Sequence, residues 1–238
     1  MFSYDMIQKN QARFAHLLPE HDFIYNVAAE ECLASLSELS LTPISILILG
    51  HFPLLETLQS TYPSASIDCR EGFVPDISTT NTYDIIISIG QLQWINDPLS
   101  YLTTLKSMLN SDGVLYGIFP GEDSFKEVHK ALIKADMTFS KGAPQRIIPM
   151  ISASDALNLM QAANIKNPLV HVVSLELQHN TLIELLNDIR YMGAGNPFSD
   201  RSGHKTPKKL FGLADFHLKG RHPYIESTVD LVVMIGRA

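Results

Sequence analysis

The stretch ISILILGHFPLLETLQ, residues 44–59, decides the fold. An almost continuous apolar run ends at Gly50, and an amphipathic run follows it. A strand that is apolar on both faces is buried on both faces, as in a parallel sheet covered by helices. The turn after it leads into a short helix expected over 53–61, with Pro53 suited to a first helical turn. Strand–turn–helix units of this kind hold nucleotide ligands in α/β proteins, usually at a turn richer in glycine than Gly50-His51-Phe52-Pro53-Leu54.

The same alternation continues outward. Strands are expected at SASIDC (64–69), YDIIISIG (83–90), VLYGIF (114–119), PLVHVVSLEL (168–177) and STVDLVVMIGRA (227–238). The segment REGFVPDISTTNT, 70–82, offers at most one more short strand. Helices are expected at 97–109, where Asp97 caps and Pro98 opens the first turn, and at 122–135, 153–163 and 180–192. The pattern predicts an α/β, Rossmann-like fold, a mostly parallel sheet with helices on both faces. Two helices at 4–17 and 22–39 precede it, with Pro19 ending the first and Asp22 capping the second. Residues 1–43 thus read as an N-terminal helical cap and 44–238 as the α/β domain. Residues 180–225 form a lid or insertion before the last strand, and RSGHKTPKKLFGLADFHLKGRHPY (201–224) makes that insertion locally basic.

Composition narrows the function. With 238 residues, one α/β domain with an insertion is expected. A net charge of −7 argues against general affinity for nucleic acid or an anionic membrane surface. Two cysteines, Cys32 and Cys69, make no disulfide framework, and no metal site is expected from the scattered histidines. No apolar run reaches the ~18–20 residues of a membrane span. The first residues lack an apolar signal core, so the expected location is cytoplasmic.

In an open α/β sheet, ligands sit beyond the carboxyl ends of the strands. That rule selects Gly50 and His51, Asp68 at the end of the second strand, and Gly90 and Gln91. Gly50 either admits a ligand closely or simply makes a strand–helix turn. Asp68 either accepts hydrogen bonds from ribose hydroxyls or is a solvated loop acid. Gln93 offers a side-chain amide, and Trp94 a flat wall or a packing group. Asp84 opens its strand, on the far edge, and reads as structural. No catalytic residue stands out.

FSYDMIQKNQARFA, YDIIISIGQLQWINDPLSYLTTLKSMLNSDGVLYGIFPGEDSF, PQRIIPMISASDALNLMQAANI and LLNDIRYMGAGN together resemble the methyltransferase-like assembly factors of respiratory complex I. Those lie within the class I S-adenosylmethionine (SAM) methyltransferases. More distantly, the chain is similar to the biotin-pathway malonyl-carrier-protein methyltransferases. The resemblance implies a seven-stranded sheet with an antiparallel last strand, SAM as cofactor, and a protein substrate or partner, a complex I subunit. The family includes an arginine hydroxylase. By position, Gly50, Asp68, Gly90 and Gln91 would face the cofactor, and Met192, Gly193 and Asn196 would lie on the substrate or lid side. The family's acidic residue and Gly-x-Gly-x-Gly turn correspond here to Ile48, Gly50, Phe52 and Leu54. Its histidine before the tryptophan is Gln93, which cannot act as a general base. The expected function is a SAM-binding, methyltransferase-like protein acting on a protein side chain, with a degenerate cofactor turn. A non-catalytic binding protein and an arginine hydroxylase on the same scaffold are the alternatives.

Overall fold

The computed structural model describes residues 1–74, 77, 81–139, 144–198 and 206–238. The chain begins with α1 (Tyr4–Phe14), α2 (Leu18–His21) and α3 (Phe23–Ser37). Then β1 (Ser45–Leu49), α4 (Leu55–Thr61), β2 (Ser66–Arg70) and β3 (Tyr83–Ile89) follow. A single 3₁₀ turn, Leu92–Trp94, leads to α5 (Pro98–Ser107) and β4 (Leu109–Pro120). Next come α6 (Lys126–Phe139), α7 (Ala153–Ala162), β5 (Lys166–His179), α8 (Leu182–Tyr191), α9 (Lys208–Lys219) and β6 (Ile225–Arg237).

The sheet order is β2-β1-β3-β4-β6-β5. β1 pairs in parallel with both β2 and β3, β3 pairs in parallel with β4, and β6 runs antiparallel to β4. The antiparallel last strand is as expected. The seventh strand is not: the described residues form six. The segment between β2 and β3 that could have supplied it holds no strand among its described residues, and 75, 76 and 78–80 lie outside them.

Two compact units divide the chain. One consists of Asp22–Pro120, Ile151–Val173 and Leu231–Ala238. Its core is the sheet interior, where Ile46 to Leu49, Ile85 to Ile87 and Val114 to Tyr116 are at most 1% exposed. α3 contributes Ala28, Ala29, Cys32 and Leu36 to the buried set, and α5 contributes Tyr101, Leu102 and Leu105. The other unit consists of Met1–His21, Gly121–Met150 and Ser174–Asp230. Here α9 packs along α6 and against α8, and α8 packs against α1.

Helix ends follow local chemistry, with two departures. Asp97 caps α5 as expected, accepting from Ser100 N at 3.0 Å. Pro19 does not simply stop a helix. It sits in the first turn of α2, where a missing N–H costs nothing. Asp22 precedes α3 but makes no side-chain cap; its carboxylate is engaged elsewhere. Asp84 is structural, as expected. It accepts from Ile44 N (2.7 Å), Ser45 N (3.0 Å) and Asn110 Nδ2 (2.6 Å), tying together the starts of β1, β3 and β4. Burial alone would raise its carboxyl pKa, but these hydrogen bonds outweigh burial and hold it below the ordinary value.

Candidate functional site

Gly50 and Gly90 stand at the carboxyl ends of two adjacent parallel strands, β1 and β3. Both turns need glycine. Gly50 has φ +103° and Gly90 has φ +61°. A Cβ at Gly50 would collide with the carbonyl oxygen of Ile89. Backbone bonds hold the turns in place: Gly50 N donates to Arg70 O and Gly90 N to Ile118 O, each at 2.9 Å.

The rest of the first turn is repacked without strain. Neither Phe52 nor Leu54 takes a positive φ; Leu54 sits at −96°. Phe52 is buried, and so is Ile48, where an acid was expected from the family pattern. Apolar side chains thus replace polar or absent ones without distorting the backbone.

His51 projects from this turn toward the start of α3. Its Nε2 lies 3.2 Å from Asp22 Oδ2, and its ring meets Tyr25 edge-on with centroids 5.3 Å apart. A carboxylate only accepts, so Nε2 carries the hydrogen of this bond. The second Asp22 oxygen accepts from Asn26 Nδ2 at 2.7 Å. Tyr25 also lies against the other turn, with its Cε1 3.3 Å from where a Gly90 Cβ would be. Burial pushes the Tyr25 hydroxyl up to about 12. Asp22, Tyr25 and His51 therefore gather at the Gly50–Gly90 rim. Asp22 and Tyr25 were not among the sequence candidates, although their i, i+3 spacing on a helix was a usable signal.

Gln91 is placed at the rim but is fully engaged. Its Oε1 accepts from Val74 N (2.9 Å), and its Nε2 donates to Gly72 O (2.9 Å) and Ile89 O (3.2 Å). It clamps the segment after β2 onto the Gly90 turn. Gln93 differs. Its Nε2 donates to Gly90 O at 2.9 Å, while its Oε1 is buried and has no partner among the described residues. Trp94 is buried at 5% exposure, so the packing reading describes its position.

Asp68 is not at the strand end. It lies mid-strand opposite Leu47, and its Oδ2 accepts from Tyr83 Oη at 2.7 Å, a residue that opens β3. The register of β2 carries the end to Arg70, so the carboxylate just beyond it is the exposed Glu71. Met192, Gly193 and Asn196 belong to the other compact unit. Gly193, at φ +78°, turns the chain after α8, and a Cβ there would lie 2.6 Å from Gln11 Cγ. Met192 is buried, and Asn196 donates to Gln145 O at 3.3 Å and accepts from Phe198 N at 3.0 Å. The MGAGN turn and the KNQ stretch of α1 are therefore packing partners. No group of three or more His, Cys, Asp or Glu among the described residues could hold a metal ion.

Glycine turns at the carboxyl ends of adjacent parallel strands, with an antiparallel last strand, narrow the comparison. A crystal structure of a provisionally named methyltransferase from Bacillus halodurans superposes with a TM-score of 0.55 at 12% identity, covering 86% of this chain and 97% of that one. The fold is the Rossmann-like methyltransferase fold. Among sequence relatives, a provisionally named methyltransferase of Rickettsia prowazekii is 28% identical over 156 residues, 66% of this chain and 67% of that protein. The mitochondrial arginine-hydroxylase of Mus musculus is 27% identical over 148 residues, 62% of this chain. The match spans only 43% of that enzyme's length. No protein-family model matches the chain. The methyltransferase-like chain thus has relatives with two different named activities.

Proposed function

We propose that this chain is a SAM-binding, methyltransferase-like protein that acts on a protein side chain, in the assembly of respiratory complex I. The observation that carries the reading is the pair of turns Gly50 and Gly90, with the Asp22–His51 pair beside them. The residues at this rim fit the cofactor in part. The backbone of Gly50, His51 and Gly90 would line it, Glu71 would accept from ribose hydroxyls in place of Asp68, and the unpartnered Gln93 Oε1 would accept from a donor such as an ammonium group. Gln91 would shape the turn that faces the cofactor, its amide being held by Val74, Gly72 and Ile89. Phe52 and Ile48 withhold space and charge from the methionine end, which weakens binding.

When bound, SAM supplies an electrophilic methyl group. His51 does what Gln93 cannot. It is held by Asp22 through Nε2, and its Nδ1 would be the acceptor for a proton leaving the substrate atom. Asp22 positions the ring and stabilises its protonated form. Met192, Gly193 and Asn196 would belong to a lid formed by residues 180–225, and the cytoplasm is the expected compartment. The family resemblance supports a protein target in complex I, and the mouse arginine-hydroxylase supports a protein side chain as the substrate.

Calorimetric titration with SAM tests the reading: a saturable heat, reduced by Glu71→Ala and unchanged by Asp68→Ala, is expected. No heat with the native chain would leave the second reading, a binding protein without chemistry, which the buried Phe52 and Ile48 favour.

A further inference from the structure

Charge is divided unevenly between the two compact units. The unit holding β1 to β4 has 12 Asp/Glu against 4 Lys/Arg, and the other has 13 against 14. One unit therefore carries a net −8 and the other +1, which together make the −7 of the chain. Bulk charge hides this division.

Within that second unit the positive charge is organised. Lys126, His129, Lys130, Ile133, Lys134 and Met137 recur at three- and four-residue spacing on α6, and all are exposed. Met137 is 71% exposed, and Phe139 ends the helix at 47%. α9, packed along α6, exposes Lys208, Lys209 and Phe216, the last at 67%. Most neighbouring acids are engaged. Asp136 is buried against Arg146 at 2.7 Å, Asp215 pairs with Lys219 at 3.0 Å, and Glu127 accepts from Thr228 at 3.3 Å. Asp123 reaches Lys126 at 3.5 Å, and Glu122 is exposed. Among the described residues, Lys130, Lys134, Lys208 and Lys209 pair with no carboxylate.

We propose that the α6–α9 face docks on an anionic membrane surface. Met137, Phe139 and Phe216 enter the boundary between headgroups and acyl chains, while the lysines meet lipid phosphates. Two features select a bilayer over a protein. The apolar side chains protrude from helix surfaces, which suits a deformable apolar layer. The lysines alternate with them on the same face, as an interfacial helix requires, whereas the core of a protein interface is depleted of lysine. Docking is peripheral: no helix among the described residues is long and apolar enough to cross a membrane.

Co-sedimentation with vesicles tests this on the full chain. Vesicles of roughly equal parts phosphatidylglycerol and phosphatidylcholine are compared with pure phosphatidylcholine, at low and high salt. The native chain should sediment with the anionic vesicles only, less so at high salt. Lys130→Glu/Lys134→Glu should weaken partitioning at least about tenfold, since each lysine near an anionic surface contributes about fivefold. Met137→Ser/Phe216→Ser should weaken it at both salt concentrations. Circular dichroism melts check that these exposed substitutions leave folding intact. Failure to sediment with anionic vesicles, equal sedimentation with both vesicle types, or native partitioning by the charge-reversed variant overturns the proposal. So does preferential binding to polyglutamate at matched charge, which would make the face a protein-docking surface.

Discussion

At Gly50 a side chain has nowhere to go, because the φ of +103° and the Ile89 carbonyl both exclude a Cβ. Gly50→Ala should destabilise the fold by at least about 2 kcal/mol, measured by urea unfolding. The opposite change applies two and four residues on. Phe52→Gly/Leu54→Gly should tighten SAM binding from an upper-micromolar constant, roughly −4 to −5.5 kcal/mol, while costing stability through the lost Phe52 burial. Unchanged affinity in that variant would show that these side chains do not obstruct the site. Asp84 supplies a pH-dependent case. Its pKa is lowered on folding, so its contribution is present above the unfolded value near 3.8 and is lost as pH falls through the lower folded value. Asp84→Ala should cost about 1–3 kcal/mol at neutral pH, and the gap to the native chain should close in acid. A gap that persists well below the folded pKa, once the carboxyl is protonated in both states, would point to packing rather than the carboxylate.

α6 illustrates how an element serves two purposes. Its buried face packs within its own unit, and one turn of that face carries Asp136, held bidentately by Arg146 Nε and Nη2 at 2.7 Å each. The third guanidinium nitrogen donates to Thr206 Oγ1 at 3.0 Å, so one ion pair ties two chain segments to the helix. Arg146→Ala leaves a buried carboxylate uncompensated and should lower stability by about 3–5 kcal/mol. Asp136→Leu/Arg146→Met should recover much of that loss if desolvation is the cause. Thermal melts of the single and double variants make the distinction. The exposed face of the same helix is free for docking because none of these contacts use it.

Across the whole molecule, protection should follow burial on both sheet faces. β1, β3 and β4 are interior and apolar, while β5 is an edge strand without a fully buried residue. Amides of Ile46 to Leu49, Ile85 to Ile89 and Val114 to Phe119 should exchange slowest in hydrogen-exchange mass spectrometry, and those of β5 markedly faster. Equal protection of β5 would mean that its outer edge is covered.

What could be read from the chain, and what could not, follows from the range of the forces involved. Strand and helix identity, the pairing of the β1 and β3 ends and the glycine turns were legible, because apolar continuity, helical period and glycine's conformational freedom are local properties. The place of Asp68 was not, since β2 runs one residue further than expected, to Arg70, and leaves Glu71 at the rim in its stead. Nor could sequence show that Gln91 spends its amide on Gly72, Val74 and Ile89 while Gln93 keeps a bare oxygen. The meeting of Asp22 and Tyr25 with His51 joins residues 29 and 26 positions apart, and the basic face joins α6 to a helix some eighty residues later. Local pattern by itself determined which elements form and that they build a parallel α/β sheet. Tertiary structure alone decided which polar groups converge, which are already satisfied and where the charge collects, because hydrogen bonds and ion pairs act through space over a few ångströms regardless of separation along the chain.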